Sequence, residues 1–250
     1  MDRELLFSTN VTGTKNLVDA ILLTEERPTL CHISSTAAIG HTDFGLANEE
    51  CIFSQDDPHS YYGYTKYLAE LEVERGRVEG LKACIVNPCV ILGYTNSKRG
   101  SGKLFSQGYN GFPFYTSGSN HIVYARDVCR ASFELLENSL FVGRYLCVGP
   151  NLTFRDLQTK IAKSFGNKGP SIGIPNRLML IVGELCEFLA TIRVNTGLGK
   201  ELARSSTSIA EFDAGKLVAA VNFEYTALHG FIKEIAELYV KSFKKRKGLN

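Results

Sequence analysis

The 250 residues carry a formal charge of only +2, with 22% charged and 44% hydrophobic residues. That near balance leaves no electrostatic footprint for a nucleic-acid partner, and the composition is that of a globular chain long enough to bury a sizeable core. No apolar run reaches the length of a membrane span. The opening MDRELLFSTN lacks the apolar core of a signal peptide. The seven cysteines are odd in number and contain no C-x-x-C, so they read as reduced thiols in a cytoplasmic protein.

NVTGTKNLVDAILLT (10–24) predicts a helix, since Val11, Thr14, Val18 and Ile21 recur at helical spacing. TLCHISS (29–35) predicts a short buried strand. Residues 41–58 read as irregular, ending in the turn signal Asp56-Asp57-Pro58. A helix follows over 61–77, with Tyr64, Leu68 and Leu71 as one face that can pack inward and Tyr62, Lys66, Ala69 and Val73 as another. LKACIVNP (81–88) predicts a second buried strand closed by Pro88. A Gly/Ser-rich loop is expected over 93–120, then a helix over 123–138 opened by Asp127, and a third strand at RYLCVG (144–149). Further helices are expected at 153–165, beginning with Thr153, within 174–192, and at 228–243. The basic run Lys244 to Lys247 reads as a solvated tail.

Strands alternating with helices imply an α/β chain with a doubly wound, Rossmann-type parallel sheet, and the continuous apolar strands suit a sheet covered on both faces. The expected division is a sheet domain at 1–150 and a small, mainly helical lobe at 151–250 interleaved with the loop 93–122. Ligands in such sheets sit outside the carboxyl ends of the strands. That rule brings Ser34-Ser35-Thr36 and Asn87-Pro88 to one edge.

Tyr62 and Lys66 stand one helical turn apart. A phenol near pKa 10 is a poor acid or base at neutral pH, and an adjacent ammonium lowers that value. The pair reads either as a proton-transfer device or as an ordinary amphipathic helix with a solvated lysine. A hydroxyl at a strand tip, from Ser34, Ser35 or Thr36, could hold a substrate oxygen against the phenol. A hydride on the adjacent carbon would need a nicotinamide, because no side chain carries one. Asn10 is also a favoured N-cap for the first helix. His32 reads as structural, His121 as a residue beside the Gly/Ser loop that could line a cleft, and Asp127 as a helix cap. No metal-ligand spacing is present.

NVTGT (10–14), HISSTAAIG (32–40), YGYTK (62–66) followed by Glu70, and NPCVILG (87–93), in that order, resemble the extended short-chain dehydrogenase/reductase family, the NAD-dependent epimerase/dehydratase superfamily. SSTAAIGHTDFGLANEE is similar to its dihydroflavonol-reductase-like and 3β-hydroxysteroid-dehydrogenase-like branch. The resemblance implies Tyr62 as acid/base. Lys66 would lower its pKa and bind the nicotinamide ribose. Ser35 would polarise the substrate carbonyl, with Thr36 as its rival. Asn10 would lie near the cofactor, and Pro88, Cys89, Val90 and Ile91 would line the carboxamide. The implied cofactor is NADP or NAD, and homodimerisation is a further expectation.

The family's G-x-x-G-x-x-G turn, which lets backbone approach the pyrophosphate at a helix N-terminus, is not found in these 250 residues. We therefore expect a truncated form of the fold, lacking its first βα units, with weak or no dinucleotide binding. The expected activity is an NAD(P)-dependent interconversion of alcohol and carbonyl on a small apolar, phenylpropanoid, terpenoid or steroid-like compound. A sugar-nucleotide epimerase or dehydratase is a second reading, weakened because no Arg lies in 117–125. A non-catalytic interaction or regulatory protein is the third.

Overall fold

The computed structural model describes residues 3–40, 46–54, 60–95, 100–191 and 200–246. The turn Asp56-Asp57-Pro58, part of the irregular segment 41–58, and Lys247 of the basic run lie outside them.

The chain opens with α1 (Arg3–Phe7), a π-helical turn (Ser8–Thr12) and α2 (Gly13–Leu22), then β1 (Leu30–Ile33), a 3-10 turn (Thr36–Ala38), α3 (Tyr61–Val78), β2 (Ala83–Pro88) and β3 (Val90–Leu92). It continues with α4 (Ser101–Tyr109), β4 (Phe114–Tyr115), β5 (Ser119–Tyr124), α5 (Ala125–Glu137), β6 (Arg144–Cys147), β7 (Asn151–Thr153) and α6 (Phe154–Ser164). Last come β8 (Ile172–Gly173), α7 (Asn176–Thr191), α8 (Lys200–Ser205), α9 (Gly215–Val221) and α10 (Leu228–Arg246). Among the described residues, no helix is long and apolar enough to cross a membrane.

Two compact units emerge. The first takes in Met1–Cys89, Arg126–Val148 and Phe212–Tyr225. Its sheet runs β1-β2-β6, all parallel. Every residue of β2 is buried, as a central strand covered on both faces requires. Ala83 and Ile85 pack with Val18, Ile21 and Val73 of α2 and α3. Alternation turns Cys84 and Val86 to the opposite face. Among the described residues β1 pairs only with β2, so it is an edge strand.

The second unit takes in Val90–Ala125, Gly149–Glu211 and Thr226–Asn250. β3 and β5 run parallel, β5 and β7 antiparallel, and β4 pairs with β8. Leu92, Phe105, Ile122, Leu157, Phe231 and Ile235 form its core, with Tyr124 stacked on Phe231 at 5.0 Å.

Three expectations are corrected. The first helical stretch begins at Arg3, so Asn10 lies inside it and is no N-cap. On α3 the buried residues include Thr65, Ala69 and Val73, whereas Leu71 is 46% exposed. The face holding Ala69 and Val73 is the inward one. The segment 93–120 holds α4 and the start of β5. Its glycines lower helix propensity, but at Gly108 a Cβ would come within 2.7 Å of Ile161. Close packing on α6 keeps α4 in place.

Candidate functional site

The candidate site lies in the first unit, where β1 ends and α3 begins. Ser35 is extended (φ −161°, ψ 151°) and caps the 3-10 turn, accepting from the Ala37 N–H at 3.1 Å. Ser60 caps α3 in the same way, accepting from Gly63 N–H at 3.0 Å. Both are the local solution that short hydroxyl side chains offer to unpaired helix donors.

Gly63 brings the two caps together. A Cβ there would sit 2.3 Å from the Ala37 carbonyl oxygen, so only glycine allows α3 to lie this tightly on the 3-10 turn. The neighbouring Tyr62 is thereby delivered to the strand tip, its phenol beside the Ser35 hydroxyl. Burial pushes the phenol above its ordinary value, and the Ser35 hydroxyl pulls the other way. The lowering expected from Lys66 is therefore not the net direction. That ammonium instead donates to the Ile33 carbonyl at 2.8 Å, on the free edge of β1. Burial pulls Lys66 down, and Glu70 opposes that.

Asn10 sits in the π-helical turn, an irregularity that often accompanies functional positions. Its amide donates to Thr65 Oγ1 at 3.0 Å. Asn10 is thus held against the helix that bears Tyr62 and Lys66. Thr36 lies in the 3-10 turn, half-buried. Pro88 closes β2 and Cys89 follows it, both buried. Val90 and Ile91 open β3 in the second unit, with Ile91 37% exposed. The structure therefore joins Ser35, Tyr62, Lys66 and Asn10 to one corner of the first unit, with Pro88 and Cys89 at the end of its central strand.

Beneath that corner is a polar cluster that sequence reasoning did not assemble. Glu70, 3% exposed, accepts from the Ser34 hydroxyl, from Asn87 Nδ2 at 2.6 Å and from Arg144 at 3.4 Å. Asn87 Nδ2 also donates to the Ser35 carbonyl at 3.0 Å. Arg144 continues to the Glu49 carbonyl at 2.5 Å, and Glu49 Oε1 accepts from Leu146 N–H at 2.8 Å. Burial pushes the Glu70 carboxyl up, against the lowering pull of Ser34, Arg144 and Asn87. The signals for this cluster were the strand-end rule that brings Ser34 and Asn87 to one edge and Glu70 itself, one turn beyond Lys66. Arg144 is 74 residues away in sequence, with no local pattern to announce it.

Other residues singled out lie apart from this corner's hydroxyl pair. His32 is held neutral, its pKa lowered to about 4 by burial and then by Lys66. Asp127 is buried in the first turn of α5 with Arg130 at 3.1 Å. His121 Nδ1 lies 2.7 Å from the Gly149 carbonyl oxygen in the second unit.

A parallel sheet flanked by helices, with hydroxyls gathered at a strand tip, gives this chain the architecture of the Rossmann-type class. The family model for the NAD dependent epimerase/dehydratase family matches residues 1–148. The chain belongs to that family. It is 29% identical over 181 residues to "Sterol demethylase protein B" of Methylococcus capsulatus (strain ATCC 33009 / NCIMB 11132 / Bath), covering 71% of this chain and 55% of that protein. The chain thus spans little more than half the length of that relative. Among solved structures, gox2253 superposes with a TM-score of 0.79 at 25% identity, covering 100% of this chain and 76% of that one. DesIV, a dTDP-glucose 4,6-dehydratase from Streptomyces venezuelae with NAD and TYD bound, has a TM-score of 0.71 at 17% identity, covering 96% and 68%. The last likeness speaks to fold alone.

Proposed function

We propose that this chain carries the reaction end of an NAD(P)-dependent oxidoreductase that interconverts an alcohol and a carbonyl on a small apolar substrate. The observation that carries the reading is the Ser35–Tyr62 hydroxyl pair, held by the glycine contact between α3 and the 3-10 turn. In the reductive direction Ser35 donates a hydrogen bond to the substrate oxygen. Tyr62 passes its phenolic proton to that oxygen as negative charge develops there. In the oxidative direction the phenolate receives the proton. Ser35 is preferred to Thr36 because it is the hydroxyl that meets the phenol.

The donor set at this corner fits the nicotinamide end of the cofactor. The Lys66 ammonium has three N–H donors and spends one on Ile33, leaving others for ribose hydroxyls. The dinucleotide, when bound, supplies or accepts the hydride. Asn10 keeps α3 in register with the first helical stretch. The 250-residue sequence presents no G-x-x-G-x-x-G turn for the pyrophosphate, so the proposal is confined to the nicotinamide end.

An apolar substrate is supported by the relative named for a sterol demethylase. Sterols are apolar alcohols and ketones. The sugar-nucleotide reading draws on neighbours such as DesIV, but residues 117–125 offer no Arg to grip a diphosphate.

The test is Tyr62→Phe in an enzyme given the family's glycine-rich βα units ahead of residue 1. The expected outcome is a fall of about 10²–10⁴ in kcat for carbonyl reduction. An unchanged rate would remove Tyr62 from the chemistry.

A further inference from the structure

On the face of the first unit's sheet away from Tyr62, two cysteines stand side by side. Cys31 of β1 and Cys84 of β2 are register partners in the parallel ladder. Register partners on neighbouring strands project to the same face. Strands lie about 4.8 Å apart, inside the Cα separation of roughly 4.4–6.8 Å that a disulfide bridges. The two thiols face each other across the ladder, and Ser132 of α5 lies beside Cys31.

Their surroundings divide the labour. Cys84 is fully buried in the central strand, whereas Cys31 is half-buried on the edge strand. The neighbouring Cys84 thiol holds the Cys31 thiol down at about 7, against burial and with help from Ser132. The same pairing and burial push Cys84 up. Cys31 is thus the thiolate that meets an oxidant, and Cys84 the protonated neighbour that waits.

We propose that Cys31 and Cys84 form a reversible dithiol/disulfide pair oxidised by hydrogen peroxide. The Cys31 thiolate attacks one peroxide oxygen, breaking the O–O bond and releasing hydroxide; its sulfur becomes a sulfenic acid. The Cys84 sulfur then attacks the Cys31 sulfur, forming the S–S bond. The sulfenic oxygen leaves as water with the proton that Cys84 gives up. Two thiols are oxidised by two electrons, and one peroxide is reduced to two waters. The bond ties β1 to β2 four residues ahead of Ser35. It does not depend on the oxidoreductase reading.

A second cysteine pair provides the contrast. Cys89 and Cys147 approach each other at the far end of β2 and β6, but both are buried, and burial pushes Cys147 up. That pair presents no accessible thiolate.

The experiment exposes the reduced 250-residue chain to equimolar hydrogen peroxide, alkylates it and reads the intact mass. The expected result is two fewer alkylatable thiols than the seven of the reduced chain, restored by dithiothreitol, with tandem mass spectrometry placing the linkage between Cys31 and Cys84. In Cys84→Ala the disulfide should vanish and Cys31 should become trappable by dimedone as a sulfenic acid. The proposal is overturned if all seven thiols stay alkylatable. It is equally overturned if the linkage joins Cys89 to Cys147 or joins two chains, or if Cys31 is oxidised beyond recovery by dithiothreitol. The linkage mapping on the unsubstituted chain decides the matter even where a variant does not fold.

Discussion

Glu70 is the residue on which the candidate corner rests. It is a carboxyl sealed under the strand tip, gathering Ser34, Asn87 and Arg144, and through Asn87 it reaches the Ser35 carbonyl. Burial raises its folded-state pKa above the ordinary 4.5, so the folded chain binds that proton more tightly than the unfolded chain. The stability tied to this group is therefore greatest below pH 4.5 and falls as pH rises through the folded-state value. Glu70→Gln keeps an acceptor and removes the charge. Its urea midpoint should fall less than the parent's between acid and neutral pH. Glu70→Ala leaves the Arg144 guanidinium without its buried partner and should cost about 3–5 kcal/mol, measured by urea denaturation at neutral pH. A Gln variant with the parent's full pH slope would show that Glu70 does not titrate between the folded and unfolded states.

At the scale of elements, the 3-10 turn and the first turn of α3 form one construction. Gly63→Ala forces a methyl against the Ala37 carbonyl, and α3 must lift. Overpacking of this kind costs about 1–3 kcal/mol. The lift also parts Ser35 from Tyr62, so a Tyr62-dependent rate should fall by more than the stability loss explains. Circular dichroism melts and reductase rates on the same preparation separate the two effects.

This is also the scale at which the sequence was most and least readable. The strands at Leu30, Ala83 and Arg144 stood out because each is a short apolar run bounded by turn residues. The Tyr62–Lys66 spacing was equally plain. Two things were hidden. The inward face of α3 was misjudged because Ala69 and Gly76 are small and carry little hydrophobic signal, yet Gly76 is where Val18 and Leu81 crowd in. The helix α4 was obscured by its glycines, of which Gly108 packs against Ile161. Long-range partners such as Arg144 have no local signature.

For the whole molecule, the parallel sheet and the family match over residues 1–148 describe a Rossmann-type chain. We predict weak binding of NADH or NADPH by the 250 residues, with fluorescence titration giving a Kd of about 1 mM or higher; a dinucleotide held through only part of its length forfeits most of its contacts. Micromolar binding would contradict this.

The first unit is made of three separate stretches, the last of them Phe212–Tyr225. Within it Leu217 and Phe223 are buried, and the Tyr225 hydroxyl accepts from Val148 N–H at 3.1 Å. A gene cut after residue 148 would therefore leave a wound: the sheet would lose the return strap that seals the end of β6. Such a fragment, though it matches the family from end to end, should elute as aggregate or expose dye-binding surface, while the intact polypeptide does not. Anyone seeking a minimal version of this protein would do better to graft the strap back than to trim to the family boundary.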